Sequence, residues 1–241
     1  MTVTIRRLGV VAVLLLTACA VKPGPGGSSQ THFEPSQLGK SEVDRVIEVH
    51  QQEVLGALKR LTEKLYRRNP REWKRGGQTN AEAAVARIFA LPAADWPELE
   101  GRREAAAIYL AFREDYAGDR VAALMIGLRT MVDAAFEGKR EFYMLDDLNA
   151  QKLYNCARNV EIAVWKLGAT RAADGELLLL SNELDVISRN LSFEREFGRI
   201  IGSLDVLSRI VASKNERAVN RIVLNLATAV FLPVAELGFI K

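Results

Sequence analysis

Between residues 98 and 232 the chain contains no proline. Proline lacks an amide hydrogen and its ring clashes with the preceding turn, so long helices exclude it from their interiors. A β-rich chain would show clustered turn residues and alternating apolar positions; neither pattern is evident. Apolar residues recur instead every three or four positions, the period of an amphipathic helix. The sequence predicts an all-α fold, a single bundle-like domain of about eight helices.

Most of these helices carry their own start and stop signals. Ser41 with Asp44 resembles a capping box, with aspartate in place of glutamate, and opens a helix over 41–68. Its apolar stripe is Val43, Val46, Ile47, Val54, Leu58, Leu61 and Leu65. Asn69-Pro70 ends it and caps a short turn through Trp73, closed by Gly76-Gly77. Thr79 with Glu82 forms another capping box for a helix to Leu91. The stretch between Pro92 and Gly101 reads as a loop that Trp96 anchors to the core. Helices over 98–116 and 120–136, broken and capped by Gly118-Asp119, form an antiparallel hairpin. A loop over 139–145 leads to Asp146, read as the cap of a helix over 147–167. Further helices are expected over 176–189, 193–212 (capped by Ser192) and 215–231, the last closed by Pro233.

The N-terminus follows a different logic. Arg6 and Arg7 precede an almost wholly apolar run from Leu8 to Leu16. A short positive region followed by roughly 7–15 apolar residues is a secretory signal. It is too short to span a bilayer, which takes about 20 residues. The run ends in Leu16-Thr17-Ala18-Cys19. This closely resembles the lipobox of bacterial lipoproteins: a branched apolar residue, two small residues, then cysteine. The resemblance implies cleavage between Ala18 and Cys19, a diacylglyceryl group on the Cys19 sulfur and an acylated (palmitoylated) amine. Several acyl chains anchor stably, since each buried methylene adds about 0.8 kcal/mol. Ala20 and Val21 follow, where an aspartate would retain a member of this family in the inner membrane. The resemblance therefore implies an outer-membrane lipoprotein facing the periplasm.

Three segments result. Residues 1–18 are the signal peptide, residues 19–40 the lipidated cysteine and a flexible tether, and residues 41–241 the periplasmic helical domain. The stretch from Ala20 to Lys40 holds three of the seven prolines and four of the seventeen glycines. It has too little apolar surface to order itself.

Charge and cysteine content exclude several classes. The formal net charge is +3, and processing would remove Arg6 and Arg7. A balance so close to neutral lacks the basic excess of a nucleic-acid binder. Two cysteines cannot build a disulfide framework. The lipobox resemblance makes one of them, Cys19, the expected lipid attachment point; the other, Cys156, falls on the apolar stripe of its helix and reads as inert core. His50 and Glu53 have i, i+3 spacing, but carboxylate-bridged metal bundles use Glu-x-x-His motifs, and this chain has none. The residues call for no catalytic group, no metal and no cofactor.

The segment 138–166 is the richest in recognition chemistry. Phe142, Tyr143 and Met144 form an apolar cluster in a loop, and Asn155, Arg158 and Asn159 stand at i, i+3, i+4. Amides and guanidinium groups in that pattern suit a buried hydrogen-bond network or a recognition surface. Phe142, Tyr143, Asn155, Arg158 and Asn159 are the candidate interaction surface. Gly198 and Gly202 share a helix face and suggest close helix approach. The apolar stretch 222–240 reads as a buried helix plus an apolar tail, because Asn225, Pro233 and Glu236 oppose a membrane span.

Together these features favour a non-enzymatic adaptor or assembly factor for an envelope complex, held to the membrane through Cys19 and contacting an envelope protein. A helical carrier or sensor of lipid or another apolar ligand is the alternative. A cell-wall or lipid-acting enzyme is the third reading.

Overall fold

The first helix starts where its capping residues place it. Ser41 Oγ accepts the Asp44 amide at 3.2 Å, and the Asp44 carboxylate accepts the Ser41 amide at 2.7 Å. This exchange satisfies donors that every helix start leaves open. Helix α1 then runs from Glu42 to Arg68, and Asn69-Pro70 turns directly into α2 (Pro70–Arg75). The cap of α3 (Ala81–Ala90) lies one residue later than the sequence suggests: Asn80 Oδ1, rather than Thr79, accepts the Ala83 amide at 2.7 Å. The remaining helices are α4 (Glu104–Ala111), α5 (Arg120–Ala135), α6 (Ala150–Ala169) and α7 (Ser192–Lys214).

The computed structural model describes residues 39–90, 96–183, 190–216 and 218–235. Among them there are seven α-helices and no strand, so the fold is all-α. They fall within one compact unit that begins at Gly39. The signal segment, Ala18, Cys19 and the expected tether as far as Leu38 lie outside the described residues. No helix among the described residues is long and apolar enough to cross a membrane.

Helix α5 is the central element. Every residue from Arg120 to Leu128 is buried, the pattern of a helix with apolar neighbours all round. Asp119 caps it by accepting the Ala122 amide at 2.9 Å. Helix α4 packs antiparallel against it, as Thr130 Oγ1 accepts the Glu104 amide at 2.8 Å. Gly127 makes this closeness feasible. A Cβ there would lie 2.6 Å from Ile108 Cγ1 and 2.7 Å from the Glu104 main-chain oxygen. Gly127→Ala is expected to lower unfolding free energy by about 1–3 kcal/mol through overpacking. Urea denaturation measures it; an unchanged midpoint would refute the close approach. Gly198 and Gly202 do not play this role, because a Cβ at either meets nothing within 4 Å.

Helix α7 lies between α1 and α6 and runs antiparallel to both. Arg60 Nε bonds Glu196 at 2.9 Å and Lys214 Nζ bonds Asp44 at 3.0 Å on the α1 side. Arg158 bonds Asp205 at 2.8 Å on the α6 side. Leu58, Leu61, Leu65, Leu124, Leu204 and Leu207 are all completely buried in the shared core. Trp96 is buried as expected, with the Arg87 guanidinium 3.9 Å from its ring centroid.

Three expected helices are shortened or absent. The 98–116 helix is reduced to α4. Pro97–Leu99 forms a 3₁₀ turn, and Glu100 and Gly101 adopt left-handed backbone angles that break the helix. At the other end the Arg120 guanidinium takes the carbonyls of Ala111, Arg113 and Glu114 at 2.9, 2.5 and 3.0 Å. Asn149, not Asp146, caps α6, its Oδ1 accepting the Gln151 amide at 2.9 Å. Likewise α7 begins at Ser192 itself, without a side-chain cap.

The expected 176–189 helix is not formed where it is described: the chain there is irregular, with isolated bridges at Leu177 and Glu183. Residues 177–180 are four successive leucines, an apolar run without helical period. Leu178 and Leu179 are buried, and Asn69 exchanges two hydrogen bonds with the Leu180 main chain, both within 2.9 Å. Residues 184–189 lie outside the described residues. The expected 215–231 helix is not formed either. From Ala218 to Ala235 the chain is a tail without helix or strand, laid on α6 and turning at 226–228, and residues 236–241 lie outside the described residues.

Candidate functional site

Helix α6 presents two faces. Leu153, Cys156, Ala157, Val160 and Leu167 point into the core. Gln151, Tyr154, Asn155, Arg158 and Asn159 form the opposite stripe at helical spacing. This stripe grips the main chain of the tail. The Gln151 carboxamide accepts the Asn220 amide at 2.8 Å and donates to the Asn220 carbonyl at 3.2 Å. The Tyr154 hydroxyl accepts the Ile222 amide at 3.0 Å and donates to its carbonyl at 3.3 Å. The Asn159 carboxamide does the same for Leu232, at 2.6 and 2.8 Å. Asn155 Nδ2 donates to the Pro233 carbonyl at 2.8 Å.

The order of these contacts gives the tail's path. It climbs α6 past Gln151 and Tyr154, turns at Asn225, and descends past Asn159 and Asn155. At the turn Asn225 Oδ1 accepts the Ala227 amide at 3.2 Å and the Asn225 carbonyl accepts the Thr228 amide at 3.1 Å. The side chains of α6 thus supply the hydrogen bonds that a non-helical segment needs in place of a sheet or helix. Val219, Ile222 and Val223 on the rising stretch and Val230 on the descending one are β-branched, which favours the non-helical form. Phe231 packs edge-on against Tyr109, with centroids 4.9 Å apart.

The tail, α6 and α7 enclose an open groove of about 680 Å³. Tyr154 and Arg158 line it from α6, Asp205, Ser208, Arg209 and Ala212 from α7, and Val219, Arg221, Ile222 and Val223 from the tail. The volume is in the range of ordinary ligand sites. Arg158 is largely buried. It pairs with Asp205 at 2.8 Å and Glu161 at 3.0 Å, and stacks 5.0 Å from the Tyr154 ring centroid. Its Nε is buried with no partner. Among the described residues Arg209 donates only to a carbonyl of its own helix, that of Asp205, at 3.3 Å. Arg221 is exposed, and among the described residues no carboxylate pairs with it.

No family model, curated protein or solved structure matches this chain.

The five candidate surface residues divide. Asn155, Arg158 and Asn159 share the α6 stripe. Asn155 and Asn159 are buried and bind the chain's own tail, while Arg158 lines the groove. Phe142 is buried instead: it packs against Phe136 with centroids 6.2 Å apart, and Glu48 accepts its amide at 2.9 Å. Tyr143 is half-exposed beside Lys40, whose Nζ is 5.1 Å from the ring centroid, and donates to Glu141 at 2.6 Å. The loop's exposed apolar side chains are its neighbours Met144 and Leu145. Arg221 belongs to an Asn–Arg pair at 220–221 that the sequence suggests as part of a polar seam between the late helices. The groove residues of α7, and Val219 and Val223, are not singled out by sequence; a helical reading of 215–231 scatters the two valines around a helix.

Two other reactive side chains resolve as structural. Cys156 is fully buried, and burial pushes its thiol well above the ordinary range, which keeps it protonated and inert. Asp119 is buried at the start of α5, and burial raises its carboxyl to about 6. Its oxygens accept the Tyr66 hydroxyl at 2.7 Å and the Ala122 amide at 2.9 Å, so it caps a helix from a buried position.

The raised Asp119 carboxyl makes a pH prediction. A carboxyl that holds its proton more tightly when folded weakens the fold as pH rises from about 4 to about 6. The loss reaches about 3 kcal/mol at neutral pH. Asp119→Asn retains the Oδ1 acceptor for Ala122 and cannot ionise. Its stability relative to the parent should rise by about 2–3 kcal/mol between pH 4 and pH 7. A difference independent of pH, measured by urea unfolding, would refute the assignment.

Proposed function

We propose that this chain is a lipoprotein anchored through acylated Cys19 to the periplasmic face of the outer membrane. Its helical body serves as a non-enzymatic adaptor or assembly factor for an envelope complex. The Leu16-Thr17-Ala18-Cys19 sequence supports the anchor. The adaptor reading rests on one observation: the groove between α6, α7 and the tail offers arginine and tyrosine side chains beside exposed Val223. Arginine and tyrosine are the residue types that concentrate binding energy at protein interfaces.

The anchor is tested with Cys19→Ala. The variant is expected in the soluble periplasmic fraction, whereas the parent partitions with outer membranes. Unchanged fractionation would remove the lipoprotein claim. The adaptor reading is tested by chemical crosslinking in intact cells and identification of the products. One dominant envelope protein is expected. Recovery of no product, or of only the most abundant envelope proteins in proportion to their amounts, would remove it.

A further inference from the structure

We propose that the groove between α6 and α7 docks an extended, acidic segment of the partner protein, whose carboxylates pair with Arg209 and Arg221. This rests on the adaptor reading and adds the chemistry of the partner to it.

The charge pattern points to the ligand. Arg158 shows how acids engage a guanidinium in this groove: carboxylates on both α6 and α7 hold its Nη2 at 3.0 and 2.8 Å. Arg209 and Arg221 line the same groove, and among the described residues neither is paired with a carboxylate. Arginine's planar fork matches a carboxylate bidentately and is weakly hydrated, so it releases water readily at an interface. Two such groups beside one already paired with carboxylates are open places for acids from outside.

The main chain points to the partner's conformation. Alternate residues of the rising tail, Asn220 and Ile222, spend their amide and carbonyl groups on Gln151 and Tyr154. Arg221 and Val223 lie between and after them, and among the described residues their main-chain groups take no hydrogen bond. Successive residues of an extended chain face opposite ways. The tail therefore turns a short, unpaired edge outward at the groove, and a second extended segment can pair with such an edge. Val223 is wholly exposed and Ile222 is 42% exposed, which suits a partner that alternates acidic with apolar residues.

The probe is a short fluorescein-labelled peptide that alternates glutamate with valine, added to the full-length protein in neutral detergent. Saturable anisotropy change is expected, and the matching glutamine–valine peptide should bind about tenfold more weakly or worse. Arg209→Gln and Arg221→Gln should each weaken the glutamate peptide by about tenfold. Both side chains are exposed, so circular dichroism should show an unchanged fold. Arg221→Glu should shift preference toward a lysine–valine peptide. Equal binding of the glutamate and glutamine peptides, or indifference to both arginine variants, would overturn the proposal. Displacement of the peptide by phosphatidylglycerol vesicles, but not by phosphatidylcholine vesicles, would overturn it in favour of a lipid headgroup.

The two readings fail separately. A dominant crosslinked partner whose yield ignores Arg209→Gln and Arg221→Gln keeps the adaptor and removes the groove. Absence of any partner removes the adaptor, and with it the partner assigned to the groove.

Discussion

Glu72→Ala is expected to destabilise the protein by about 2–4 kcal/mol, the loss of a charge-assisted hydrogen bond that leaves a buried amide without its acceptor. The Glu72 side chain is completely buried. One oxygen accepts the amide of Arg120, the first residue of α5, at 2.8 Å. The other accepts Arg71 Nε and Arg75 Nη1, each at 3.1 Å. The carboxylate thus joins α2 to the positive end of the central helix, where a negative charge is favoured. Removing it leaves a buried amide without an acceptor. The two arginines are about half exposed, so Arg71→Ala and Arg75→Ala should each lose less than about 1 kcal/mol. Urea unfolding of the three variants decides. Similar losses for all three would show that the surface ion pairs matter and the buried amide does not.

Asn159→Ala is expected to lower stability by about 2–4 kcal/mol and to loosen the tail. Asn159 is fully buried and makes two hydrogen bonds to Leu232, at 2.6 and 2.8 Å. Each contributes about 1 kcal/mol net, and the orphaned Leu232 groups add a desolvation penalty. The effect is also local. Amide exchange at Leu232 and Phe231 should accelerate far more than exchange in the middle of α5. Uniform acceleration across the fold would mean that the tail is not held by this side chain.

The contrast between α1 and the tail explains what could be read from the chain. The Ser41–Asp44 box and the Asp119 cap act within three residues of themselves, so their neighbours in sequence suffice to place α1 and α5. The tail depends on residues far away. Nothing near Ile222 or Leu232 says that Tyr154 and Asn159 will take their main-chain groups. The same holds at Leu180, which is held by Asn69. The stripe Asn155, Arg158 and Asn159 was visible as unusual chemistry for a solvated helix. Its use was not, because an amide that binds the chain's own backbone has the same sequence signature as one that binds a partner. Glycine spacing misled for a related reason. Gly198 and Gly202 look paired along α7 but face open space, while Gly127 meets α4 through a contact that only the folded chain brings together.

The most direct test of the central claim is site-specific photocrosslinking from the groove. A photoreactive amino acid is placed at Val223, which is wholly exposed on the groove rim, and in a second strain at Glu42 at the exposed start of α1. Irradiated intact cells should yield one dominant adduct with an envelope protein from Val223, reduced by Arg221→Glu, and no such adduct from Glu42. The same adducts from both positions, or none from Val223, would contradict the claim that this groove is where the protein meets its partner.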